Sequence, residues 1–245
     1  MALTDEEFGL LQTSIDAMLE RLAQLNLSIV VERDFNDLVR FLRSKNAPLI
    51  NPTYDPEFND LSRNAFWMRV IDENGETVAS HAQRMFETED FCELVQSGRL
   101  WYDQGMTLGP GQEPIRITRP PELIRGIVAH AGALWVEPRR RKIGLSMYLP
   151  FLSRVLSLRN YNTDYYTCIV DNSMARSIVP TLGYGYPHMQ RFFDGWTPPA
   201  NRNLKDVHIC WMSQAETIEQ FRRLPKHPLF PLQLTPERIR EAINA

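Results

Sequence analysis

Apolar residues near the start of the chain fall at alternating steps of three and four: Phe8, Leu11, Ile15, Met18, Leu22 and Leu25. Thr4 and Glu7 stand ahead of them in capping-box spacing, and together they predict an amphipathic helix over residues 5–25. The apolar seam is narrow, so it suits either packing on its own domain or contact with a second copy of the chain. Leu27 to Val31 reads as a short strand. Asp34 then caps a second helix over 34–45 that turns Phe35, Leu38, Val39, Phe41 and Leu42 inward. Residues 47–64, rich in Pro, Asn and Asp, read as a loop. Phe66–Ile71 and Thr77–Phe86 form a predicted hairpin closed by Asn74-Gly75, and a short helix over 89–96 ends at Gly98.

The middle of the chain changes character. Residues 99–121 hold three Gly, four Pro and the cluster Trp101-Tyr102-Asp103, a loop long enough to be either a substrate lid or a plain surface excursion. An apolar run from Ile127 to Trp135 reads as a buried strand, and Ile143 to Leu158 as a helix with a predicted kink at Pro150. Between them lies Val136-Glu137-Pro138-Arg139-Arg140-Arg141-Lys142-Ile143-Gly144-Leu145-Ser146. Strand, basic turn and helix start bring unpaired N–H groups, a positive dipole end and a glycine to one place, which suits a phosphate or pyrophosphate. Asp164–Val170 is the next strand, followed by the helix cap Asp171-Asn172. Tyr186–Phe193 and Val207–Met212 read as a closing antiparallel pair around a turn-rich link at 195–203. A polar helix over 214–224, a proline-rich connector and a last helix capped by Thr235 complete the chain. No internal repeat is present.

Composition narrows the function classes. A net charge of −3 argues against general nucleic-acid binding. Cys92, Cys168 and Cys210 are odd in number and far apart, and the five histidines lack paired ligand spacing, so neither a disulfide framework nor a metal is expected. No apolar run reaches the length of a membrane span and the N-terminus is acidic, so a cytoplasmic protein without membrane attachment is expected.

The run Val136–Ser146 resembles the acyl-CoA signature of the GNAT acetyltransferase superfamily, V-x-P-x-x-[QR]-x-x-G-x-[GA], through Val136, Pro138, Arg141 and Gly144, with Ser146 in the last small position. A second stretch resembles that family's N-x-x-A-x-x-x-Y-x-x-x-G-[FY] through Asn172, Ala175, Gly183 and Tyr184, with Val179 where a tyrosine often serves as general acid. The resemblance spans about residues 60–213. It implies an α/β (α+β) fold: a central mixed, mostly antiparallel twisted sheet flanked by helices. Residues 1–59 would be N-terminal helices and linker packed on the core, 60–213 the acyltransferase core, and 214–245 a C-terminal helical tail.

The same resemblance implies an acyl-CoA, with acetyl-CoA the expected cosubstrate, and an amine acceptor as partners. Leu134, Val136, Arg141, Lys142, Ile143, Gly144, Leu145, Ser146 and Asn172 are the expected cofactor-binding residues, Leu134 and Val136 acting through backbone amides beside a strand bulge. His130, on the central strand, is the candidate base and Tyr184 a candidate acid; each also fits a structural role, as a sheet histidine and a core tyrosine. No serine sits in a nucleophile elbow, which favours direct transfer without a covalent enzyme intermediate. A catalytically silent acyl-CoA-binding or regulatory module is the alternative, motivated by Val179. A homodimer through the first helix is a further expectation.

Overall fold

The computed structural model describes residues 3–45, 50–107, 115–141, 143–177, 179–193 and 206–224. The 195–203 link, the proline-rich connector, the helix expected after Thr235, residue Lys142 and part of the 99–121 loop lie outside them.

Seven strands form one sheet in the order β1-β2-β3-β4-β5-β7-β6. They are β1 (Ser28–Glu32), β2 (Ala65–Ile71), β3 (Thr77–Thr88), β4 (Gly126–Val136), β5 (Tyr165–Val170), β6 (His188–Phe193) and β7 (Val207–Ser213). Every pairing is antiparallel except β4 with β5. This is the expected mixed, mostly antiparallel sheet with helices on its faces. The β2–β3 hairpin turns where Asn74-Gly75 predicts it: Gly75 has φ +78, and its N–H donates to the Asp72 carbonyl.

Helices α1 (Asp5–Ala23), α4 (Leu145–Tyr161) and α6 (Gln214–Arg223) cover one face. Thr4 and Glu7 form the expected capping box on α1. The seam residues Leu11, Ile15, Met18 and Leu22 are buried in the chain's own main core, beside Leu149, Leu152 and Val155 of α4. The opposite face carries α2 (Phe35–Ser44), capped by Asp34, and α3 (Phe91–Gln96), capped by Asp90. α5 (Asn172–Ala175) follows β5 and is capped by Asp171. α4 runs unbroken through Pro150. The 47–64 segment, read as loop, contains a one-turn 3₁₀ helix at Pro52–Tyr54 capped by Asn51. Its three residues are buried, and Tyr54 donates a 2.9 Å hydrogen bond to the His130 carbonyl. No described helix is long and apolar enough to cross a membrane.

Two features of β4 shape everything near it. Its parallel pairing with β5 stops at Ala131↔Cys168, although β4 continues to Val136 and β5 to Val170, so the two strands part. On the other side, β3 advances two residues, Ser80 to Ala82, while β4 advances three, Trp135 to Gly132. That extra residue is a β-bulge. Ala133, at φ +50, and Leu134 pair with neither neighbouring strand.

Candidate active site

The parting of β4 and β5 holds a cavity of about 350 Å³, and a second of about 320 Å³ lies against the start of α4. Leu134, Met174 and Tyr184 line both, so the two adjoin. Gln83 on β3 reaches Ser153 of α4, which places its neighbour-but-one His81 on the α4 face; Arg84, and His130 paired across from it, face the other way. His81 and His130 nevertheless line the same cavity. The cavity therefore passes through the sheet.

The second cavity is bounded by Val136, Arg140, Arg141, Leu145 and Ser146. Gly144 occupies the N-cap of α4 at φ +88, a left-handed conformation that favours glycine, so the chain enters the helix with no side chain over its first turn. The amides of Leu145 and Ser146 belong to that first turn and have no intrahelical acceptor. Arg141 Nε donates to the Val136 carbonyl at 3.2 Å, folding the loop back along β4 while its charge stays at the exposed rim. Arg140 pairs with Asp72 at 3.6 Å. Amides, dipole and cations thus converge at one end of the cavity, an arrangement that takes a phosphate or pyrophosphate.

At the other end stands His130, 2% exposed. Its Nδ1 lies 3.0 Å from Thr167 Oγ1, and the Thr167 hydroxyl reaches the Ala129 carbonyl at 3.4 Å. With the threonine proton on that carbonyl, Nδ1 is the protonated nitrogen and Nε2 keeps its lone pair. Burial, reinforced by the nearby Arg84 guanidinium, pushes the imidazole pKa down to about 3. His130 is therefore a neutral hydrogen-bond acceptor at physiological pH. Tyr184 stands at the junction of the two cavities, and burial raises its phenol well above the ordinary value.

Several residues around the cavity belong to no motif. His81, 2% exposed, bonds Ser153 Oγ through Nε2 at 3.0 Å and leaves Nδ1 buried without a partner; burial, then Arg154, holds its pKa near 3. Arg84, also buried, donates to Asn59 Oδ1 at 2.7 Å and pairs with Asp103. Asn59 Nδ2 in turn reaches the carbonyls of Pro52 and Trp101. That network fastens two loops to the sheet, and their residues Asn51, Pro52 and Trp101 wall the cavity. The buried Arg154 of α4 donates to the Tyr184 carbonyl and stacks on the Tyr186 ring with its guanidinium carbon 4.5 Å from the ring centroid.

Of the residues expected from sequence, Leu134, Val136, Arg141, Leu145, Ser146 and Tyr184 line the second cavity, His130 lines the first, and Ile143 and Gly144 form the loop between strand and helix. Asn172 lines neither. Its side chain bonds Asp206 and Arg176 instead. Val179 does line the second cavity, at the start of a π-helical turn running to Gly183. Trp101, noted in sequence as part of a loop that could be a substrate lid, does line the first cavity; Pro52, His81 and the Arg84 network could not be singled out from sequence, because the strand parting that gathers them is a tertiary feature.

The parted parallel pair, the bulged central strand and the glycine-led helix after it are the architecture the two motifs imply. The chain has the GNAT fold. No family model matches the sequence, and no curated protein matches it. Among solved structures, the spermidine N-acetyltransferase from Vibrio cholerae in complex with CoA and spermine is 10% identical over 79% of this chain and 98% of that one, with a TM-score of 0.45. Arabidopsis thaliana NAA60 in complex with acetyl-CoA is 12% identical over 77% and 99%, with a TM-score of 0.48. The strand order and the bulge of β4 are what mark the fold in this chain.

Proposed function

We propose that the protein is an acyl-CoA dependent N-acyltransferase, with acetyl-CoA the expected donor, that moves the acyl group directly to an amine. One observation carries the reading: two adjoining cavities line up from a glycine-led, cation-flanked helix start, past unpaired backbone on β4, to a neutral imidazole on the far face of the sheet. In this reading Arg141 and the amides of Gly144, Leu145 and Ser146 hold the pyrophosphate, with Lys142 adding charge. The pantetheine arm follows Leu134 and Val136. The unpaired amide at the bulge faces the thioester oxygen, and such a donor is worth about 3 to 4 kcal/mol to a developing oxyanion.

A lysine-like amine must lose a proton before it can attack, at a cost of about 4.6 kcal/mol at pH 7. An imidazole held near pKa 3 cannot take that proton from the free ammonium. His130 Nε2 instead accepts a hydrogen bond from the neutral amine, aiming its lone pair at the thioester carbon, and receives the proton as the C–N bond forms and the nitrogen turns acidic. The C–S bond then breaks, and the proton passes on to the departing thiolate. Tyr184 stays protonated and serves the thiolate as a hydrogen-bond donor, in the place that Val179 leaves unfilled.

The weak basicity of His130 and the presence of Val179 also motivate a second reading, a silent acyl-CoA-binding module. Release of CoA from acetyl-CoA over a broad amine panel separates the two. Turnover that falls at least tenfold in His130→Ala supports the enzyme, whereas acetyl-CoA binding with no turnover on any amine supports the silent module. A homodimer through α1 would have to use Phe8 and Leu19, which are 41% and 40% exposed.

A further inference from the structure

We infer that the acceptor is an apolar or aromatic monoamine and that a polyamine is excluded, an inference that rests on the acyltransferase reading and names the substrate class of that site. The half of the cavity on the His130 face is walled by Pro52, Trp101, Ile169 and Val207. Trp101 is braced edge-on against Phe193, with ring centroids 6.2 Å apart, and its carbonyl is held by Asn59. The indole is therefore a fixed wall, suited to the flat face of an apolar ligand. The whole cavity, both halves together, is about 350 Å³, at the small end of the range of small-molecule sites, about 300 to 1,000 Å³, which suits a small acceptor.

Charge points the same way. Among the described residues lining this cavity, Asp171 is the one carboxylate, and it is engaged as the cap of α5, accepting from Met174 N at 2.8 Å and from the Ser173 hydroxyl at 2.6 Å. Two buried guanidiniums stand behind the walls. Arg84 has Asp103 as counter-ion, but the described partners of Arg154 are all neutral: Gln220 Oε1, the Tyr184 carbonyl and two aromatic rings. Both arginines depress the imidazole that faces them. Beyond the engaged Asp171, the described lining thus offers a second ammonium no carboxylate. A second or third ammonium on the acceptor would be desolvated there with only that engaged carboxylate as counter-charge. A monoamine that enters neutral has the acceptor nitrogen of His130 for its N–H and the wall of Pro52, Trp101, Ile169 and Val207 for its apolar part.

The test is calorimetric titration of the full chain, with and without saturating CoA, using 2-phenylethylamine and spermidine. The inference expects 2-phenylethylamine to bind and spermidine to bind about a hundredfold more weakly. Trp101→Ala should weaken 2-phenylethylamine about tenfold, the order of one aromatic contact, and Trp101→Phe should restore most of the loss, which separates a lost wall from a lost fold. Spermidine binding as tightly as 2-phenylethylamine, an aromatic amine that fails to bind either form, or a Trp101→Ala variant that binds it unchanged would each overturn the inference. Failure of the acyltransferase reading looks different: acetyl-CoA does not bind, or no CoA is released, whatever the amine titrations show.

Discussion

Acid should unfold this protein early, and for a reason that lies inside the site. His81 and His130 are fully buried, and each has its pKa depressed from 6.5 to about 3. Between those values the unfolded chain binds a proton that the folded chain refuses, so stability falls as pH falls below 6.5 and goes on falling to about 3. Each histidine contributes a slope of about 1.4 kcal/mol per pH unit, which amounts to about 2 kcal/mol each, or about 4 kcal/mol together, between pH 7 and pH 5. That is a large part of a typical domain's stability, about 5 to 15 kcal/mol. The depressed carboxylates Glu7, Asp60 and Glu216 lose their contribution only below about pH 4.5, so the interval from 6.5 to 5 isolates the imidazoles. Urea unfolding at pH 7, 6 and 5 measures the slope. In His81→Gln and in His130→Gln the slope should fall by about half, whatever the variant does to stability at pH 7. Variants whose pH slope matches the wild type would refute the reasoning, as would imidazole NMR signals from these residues that titrate between pH 6 and 7.

Further outcomes follow from particular contacts. In Gly132→Ala the new Cβ would lie 2.5 Å from Tyr54 Cε2, within the contact that ties Tyr54 to His130; thermal unfolding should report a loss of about 1 to 3 kcal/mol, and the KM for the amine should rise. Asp103→Ala removes the counter-ion of buried Arg84. Because Asp103 is about a third exposed the loss in urea unfolding should be about 2 kcal/mol, with the amine KM rising and acetyl-CoA affinity unchanged. Tyr184→Phe should bind acetyl-CoA as well as the wild type and lower kcat about tenfold, the order of one hydrogen bond to an anion; an unchanged kcat would remove Tyr184 from the chemistry. The pH profile of kcat/KM should rise with amine deprotonation and show no inflection near 6.5, since His130 is already neutral there.

Local signals in the chain carried a good deal of this architecture. The helix starts at Thr4, Asp34 and Asp171 were readable because a capping side chain and its apolar period are neighbours in sequence. The phosphate-friendly turn was readable because strand, arginines and glycine are consecutive. What stayed hidden depends on contacts between distant segments. The 3₁₀ turn at Pro52–Tyr54 looks like loop in a run of Pro, Asn and Asp, and only its burial against β4 reveals it as part of the site. The order β5-β7-β6 sets β7 between two strands that precede it, which no period of two can express. His81 lies in an ordinary strand pattern; the bulge opposite, a matter of register, is what brings it to the cavity. Asn172 fits its motif by spacing, yet its side chain turns to Asp206 and Arg176, and spacing alone does not fix direction.

In the proposed enzyme the loop from Val136 to Ser146 and the start of α4 hold the donor's pyrophosphate. Calorimetric titration of acetyl-CoA into the wild type and into the double variant Arg141→Glu, Gly144→Asp tests it most directly. Micromolar binding by the wild type that is lost by at least a hundredfold in a double variant that remains folded by circular dichroism is the predicted result, with some loss of thermal stability expected from Gly144→Asp at φ +88. Equal affinity in the two proteins would contradict it.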